Sequence, residues 1–150
     1  MKRENGFTLV EMLVCVAILG ILGAVATPAY INYKNRAIQG EAVEALLRAK
    51  MDQESFWAEN NRYASTIKKL ASFGPSGNVN SATTPSKYVI SVDQGNTGTN
   101  KFKVIAQKKI YSYASTDIVT LTVTSTTPDA GPVVSNEDAL KFSLFKLIFN

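Results

Sequence analysis

Histidine is missing from the 150 residues, and cysteine occurs once, at Cys15. A His-ligated metal centre, a Cys–His nucleophile and an internal disulfide are therefore excluded, and no metal or cofactor is expected. Charge is missing over one long stretch: the twenty residues from Met12 to Ile31 contain no Asp, Glu, Lys or Arg. At about 1.5 Å per residue, that stretch as a helix spans roughly 30 Å, the thickness of a bilayer's hydrocarbon core. Cys15 lies within it and reads as a small apolar packing residue. Catalytic motifs are missing as well. With no nucleophile motif, Gly-rich phosphate loop or paired-acid spacing, a membrane-anchored hydrolase is disfavoured and the chain reads as no enzyme. Any strong excess of one charge is also lacking: 16 Lys and Arg against 12 acids leave +4, or +3 once Lys2, Arg3 and Glu4 are removed.

What is there begins at the front. MKRENG is a short polar leader whose Lys2 and Arg3 keep that end in the cytoplasm by the positive-inside tendency, placing the bulk of the chain outside it. A plausible cut after Gly6 precedes the apolar run, unlike the cut of a secretory signal, so the helix stays attached. Glu11 is then a lone acid at the head of a membrane helix. An ionised carboxylate costs about 2.5 to 3.5 kcal/mol at a helix centre and less near an end, so it calls for a neutralising partner. The new α-amino group on Phe7 of a neighbouring subunit fits that need. The positive end of its own helix dipole, worth about 0.3 to 1 kcal/mol, is the alternative. Gly20, Gly23 and Pro28 weaken the helix and mark where it would kink or melt. The same small residues also permit close helix packing in lipid.

The run Gly6, Phe7, Thr8, Leu9, Val10 and Glu11, followed by the charge-free stretch with Gly20, Gly23 and Pro28, resembles the type IV pilin family. The resemblance is close over roughly residues 1 to 60. A second stretch, QESFWAENNRYASTIKKL, resembles one common in pilins where the chain leaves the helix, and the soluble part resembles that of minor or major pilins of the PilE-like group. The resemblance implies that a prepilin peptidase cuts between Gly6 and Phe7 and methylates the new amine of Phe7. It further implies that Glu11 guides docking into a filament of identical or other pilins, built by an inner-membrane assembly platform. Before assembly the subunit would sit in the lipid bilayer with its soluble domain in the periplasm; afterwards it would lie in a pilus or pseudopilus. The same signature serves pseudopilins of type II secretion and minor pilins that bind DNA during uptake.

The fold class expected is α+β, a long N-terminal helix packed on a small antiparallel sheet. The chain divides into a leader (1–6), a transmembrane half-helix (7–31), an amphipathic half (32–59), a helix-to-sheet loop (60–86), a sheet domain (87–135) and an apolar segment (136–150). Ile38, Ala42, Ala45, Leu46, Ala49 and Phe56 share one helix face and should cover the sheet, while Val43, Leu47 and Met51 form a second stripe for a neighbour or an overlying loop. Alternation at Tyr88, Ile90, Val92, then Phe102, Val104, Ala106, then Val119, Leu121, Val123 predicts three strands, with a turn at Asp93 to Asn100. Ser135 and Asp138 resemble a capping pair for a helix over the last residues, although alternation at Leu140, Phe142 and Leu144 also fits a strand. The aromatics Phe7, Tyr30, Tyr33, Phe56, Trp57 and Tyr63 read as packing residues rather than an electron path. Lys101, Lys103, Lys108 and Lys109 are candidates for a DNA-binding patch or simply a solvated strand face.

Overall fold

The structure, a computed structural model, describes residues 7–74, 80–112 and 116–142. Its first element is helix α1 (Leu9–Asn60), 52 residues long. Thr8 starts it, with backbone φ −81° and ψ 152°, because its hydroxyl takes the otherwise orphaned N–H of Glu11. Asn61 ends it. Its φ of 53° is left-handed, a conformation Asn tolerates better than most residues, and its N–H closes on the Trp57 carbonyl. No residue between interrupts the helix, which carries Pro28 in its interior.

Among the described residues five antiparallel strands follow as a meander in sequence order: β1 (Ala82–Thr83), β2 (Val89–Val92), β3 (Lys101–Lys108), β4 (Asp117–Thr124) and β5 (Val133–Val134). The register sets Val92 opposite Val104, Phe102 opposite Val123, Val104 opposite Leu121 and Ala106 opposite Val119. All these residues therefore point to one face, which the amphipathic half of α1 covers. Ala42, Leu46 and Ala49 are fully buried against Tyr88, Ile90, Phe102, Val104, Val119 and Leu121, with Ile38 and Phe56 half-buried at the margin. The expected α+β architecture is the one observed.

Three expectations change in detail. Val43, assigned to the second stripe, is half-buried against the core, so only Leu47 and Met51 remain exposed on that side. The span 60–86, read as a loop, contributes two 3₁₀ turns (Ile67–Lys69 and Ala71–Phe73) and β1. Ala64, Ile67 and Leu70 recur every third residue, the spacing that eclipses side chains on a 3₁₀ turn, and all three are buried. Ser135 and Asp138 do not cap a helix. A single 3₁₀ turn, Glu137–Leu140, follows Asn136 with no side-chain cap, and Asp138 instead pairs with Lys141 at 2.7 Å. Leu144, and Lys146, whose charge would suit the last turn of such a helix, lie outside the described residues, as does the remainder of the apolar segment beyond Phe142.

Candidate functional site: the exposed half-helix and the lysine-bearing sheet

Among the described residues the apolar N-terminal part of α1, up to Ala29, has no packing partner. Phe7 is 77% exposed, and Leu9, Leu13, Leu19, Ile21 and Val25 are each more than 60% exposed. Such a surface is unfavourable in water and suits lipid or other helices. Cys15 is likewise exposed. A side-chain carbon added at Gly20 or Gly23 would meet nothing within 4 Å among the described residues, so packing against those residues requires neither glycine. The helix runs unbroken through Gly20, Gly23 and Pro28, and the Thr27 hydroxyl donates to the Gly23 carbonyl at 2.8 Å.

Glu11 is held by its own first turn. Its carboxylate accepts from the Thr8 N–H and the Thr8 hydroxyl, both at 2.8 Å, while the Glu11 N–H donates back to the Thr8 hydroxyl oxygen at 3.2 Å. This is a reciprocal capping box. Its signal, Thr8 three residues before Glu11, is in the sequence, though neither the membrane cost of the carboxylate nor the helix dipole points to it. Gly6 lies outside the described residues; Phe7 stands next to the capping threonine.

The four candidate lysines do not converge. Lys101 and Lys103 are on the face of β3 turned away from α1, and Lys103 lies 3.8 Å from the Asp93 carboxylate. The Asp93 carboxyl is held below its ordinary value, first by the hydrogen bond from Asn96, with Lys103 adding to the effect. Lys108, at the opposite end of β3, has the parity of Phe102 and Ala106 and turns inward. It is set against Asp117 across the ladder, donates to the Ser86 carbonyl and lies over the Tyr88 ring. Burial lowers its pKa, and the nearby charge of Lys87 pushes the same way. Lys109 follows it, exposed, on a rim shared with Lys87, Gln107 and Thr116.

Sequence reasoning also missed the buried polar groups. Asp117 is fully buried, accepting from the Tyr88 hydroxyl and from Gln39 Nε2 at 3.0 and 3.1 Å. Gln53, equally buried, exchanges two bonds with the Ala64 backbone, at 2.9 and 2.7 Å. Asn35 donates to the Tyr111 hydroxyl at 2.6 Å and the Leu140 carbonyl at 2.9 Å. The aromatics at the far end of α1 pack: Tyr63 lies 4.7 Å from Phe102 and 6.4 Å from Trp57, whereas Tyr30 and Tyr33 stay exposed. Among the described residues no three acidic or cysteine side chains gather as for a metal ion.

A long helix with a bare apolar half, a capped acid at its head and a meander sheet on its other half defines an α+β subunit with a membrane-compatible N-terminal stalk. Comparison with known proteins sharpens this. Residues 1–27 match the prokaryotic N-terminal methylation motif, and residues 28–130 match the family described as "Type IV minor pilin ComP, DNA uptake sequence receptor". The chain belongs to the type IV pilin family. It is 40% identical over 73 residues to the type IV major pilin protein PilA of Myxococcus xanthus, covering 49% of this chain and 33% of that one. It is 35% identical over 69 residues to the type II secretion system core protein G of Aeromonas hydrophila, covering 46% and 48%. The type IV major pilin protein PilE1 of Neisseria gonorrhoeae is 40% identical over 70 residues, 41% of each. The matched stretch thus spans between a third and a half of these relatives. No solved structure gives a significant match.

Proposed function

We propose that the chain is a structural, non-enzymatic subunit of a type IV pilus-like filament. It enters the inner membrane as a precursor with its sheet domain in the periplasm, is cut between Gly6 and Phe7, is methylated on Phe7, and polymerises through α1. The observation that carries this reading is the exposed apolar half of α1 headed by Glu11, a surface that the described residues of the chain leave uncovered. In a filament the neighbours' helices cover it, and Glu11 meets the Phe7 amine of the next subunit. The prepilin peptidase and the assembly platform are the partners this route requires. Mass spectrometry of subunits purified from sheared fibres tests it: methylated Phe7 is the expected first residue, and Met1 as first residue in assembled material sinks the processing route. Gly6→Val should accumulate as uncut precursor in the membrane.

The match of residues 28–130 to a DNA uptake receptor family favours a second reading, a minor subunit that contacts DNA, over a type II secretion pseudopilin. Lysines on the sheet domain would then neutralise phosphates, so binding should weaken steeply with salt. Lys101 and Lys103 lie at one end of β3, and Lys108 and Lys109 at the other, which makes the pairs separable. Filter binding of duplex DNA to the detergent-solubilised chain is the test: salt-sensitive affinity that falls on Lys101→Gln with Lys103→Gln, or on Lys109→Gln, supports the reading. Salt-independent or absent binding removes it and leaves the filament role untouched.

A further inference from the structure

A recess of about 480 Å³ opens beside α1, immediately past the end of the charge-free run at Ile31. Its walls are Asn32, Arg36 and Gln39 from successive turns of the helix, Leu140 from the 3₁₀ turn docked there, and Lys141 just after that turn. The docking is fixed by polar bonds: Phe142 N–H donates to Asn32 Oδ1 at 2.7 Å, and Asn35 donates to the Leu140 carbonyl at 2.9 Å. Lys141 shares its charge with Asp138 at 2.7 Å, both largely exposed, and Gln39 spends its amide on Asp117. Among the described residues Arg36 has no ion-pair partner.

The level of the recess identifies what that cation meets. Along the helix axis Asn32 lies about 1.5 Å and Arg36 about 7.5 Å beyond Ile31. Each headgroup layer of a bilayer is about 5 to 7 Å thick, so the two residues bracket that layer when the run fills the hydrocarbon core. Tyr30 and Tyr33, 67% and 74% exposed, flank the same level, as interfacial aromatics do. Below the recess, Leu22, Val25 and Ala29 continue the stripe of Asn32, Arg36 and Gln39 at helical spacing and are exposed. An acyl chain thus has an apolar track directly under a phosphate held above it.

We propose that this recess receives the phosphate of an anionic phospholipid headgroup while the subunit waits in the membrane, with Arg36 and Lys141 supplying the charge. The proposal rests on the membrane-anchored reading of α1. The test uses the full chain, extracted from phosphatidylglycerol-containing vesicles into mild detergent, with retained lipid counted by native mass spectrometry. The wild type should keep one phosphatidylglycerol. Arg36→Gln should keep about fivefold less, the worth of one cation beside anionic headgroups. Lys68→Gln, an exposed lysine of the first 3₁₀ turn, should keep as much as wild type. Arg36 is exposed and Gln is nearly as good a helix former, so the variant should retain wild-type helix content by circular dichroism. Equal retention by wild type and Arg36→Gln overturns the proposal, and so does equal loss in Lys68→Gln. Displacement of the lipid by excess inorganic phosphate would show a free-anion site instead and overturn the lipid assignment. A wild-type chain that never enters the vesicles would overturn the anchoring reading itself, a result distinct from all of these.

Discussion

Glu11 has one use in the isolated chain and would have a second in the proposed filament, and a single substitution can separate them. In the isolated chain its carboxylate closes the capping box with Thr8; in a filament it would face a neighbour's Phe7 amine. Gln at the same position keeps the reciprocal cap, since capping boxes accept Gln as readily as Glu, but carries no charge. A cap is worth about 1 kcal/mol, whereas a buried amine left without its carboxylate costs about 3 to 5 kcal/mol. The larger effect decides. Glu11→Gln should therefore reach the membrane in normal amounts and be missing from sheared fibres, like Glu11→Ala; normal fibre yield from Glu11→Gln would assign the residue to its own helix alone. Thr8→Ala, which removes only the cap, should fray the first turn and leave fibre yield within a few fold of wild type. The acid was legible because one charge stood against twenty uncharged neighbours. Asn35, Gln53 and Asp117 were not, because a polar residue in an amphipathic segment reads as solvated until its partner is known, and their partners lie 105, 11 and 78 residues away.

At the scale of elements, α1 presents one face of its C-terminal half to the sheet and, among the described residues, leaves its apolar N-terminal half bare. Leu46 is fully buried and its neighbour Leu47 is 43% exposed, so the two report on different surfaces. Leu46→Ala should lower stability by about 2 to 5 kcal/mol through lost burial and a residual cavity, as read by denaturant unfolding of the chain in micelles. Leu47→Ala should cost under about 1 kcal/mol in the same measurement and show its effect only in fibre yield. Gly20 and Gly23 make the converse case. No described residue crowds them, so Gly→Ala at both should raise helicity, each by about 1 kcal/mol of propensity. Fewer fibres from that double variant would place the glycines in helix packing or melting during assembly; unchanged yield would remove both roles. The three longer strands were legible from alternation of period two, since each buries one face only. β1 and β5 were not, because two residues carry no period and their pairing is set by the neighbouring strand.

In the whole molecule, helix and sheet are joined by a polar knot as well as by the apolar core, and the knot makes stability depend on pH. Asp117, at the start of β4, accepts from Tyr88 on the approach to β2 and from Gln39 on α1, with Lys108 of β3 opposite it. The Tyr88 phenol is pushed far above its ordinary value of 10.0, first by burial, then by its bond to Asp117 and that carboxylate's charge. Above pH 10 the unfolded chain releases this proton while the folded chain keeps it. The unfolded state then binds fewer protons, so stability, fully present below pH 10, falls as pH rises, by up to about 1.4 kcal/mol per unit. Lys108 acts in the opposite sense. Its pKa is lowered from 10.5, chiefly by burial, so its contribution raises stability with pH just below 10.5 and is spent above it. Tyr63, raised by burial and by Glu54, falls with Tyr88 but remains in a Tyr88 variant. Tyr88→Phe should therefore be less stable than wild type at pH 7 by about 1 to 3 kcal/mol, because Asp117 loses a donor while staying buried. Denaturant unfolding at pH 7, 10 and 11 should show that gap shrinking by about 1.4 kcal/mol per unit above pH 10.5 as the wild type alone loses its buried phenol's advantage. A gap that stays constant from pH 7 to 11 would show that some group other than Tyr88 sets the alkaline limit.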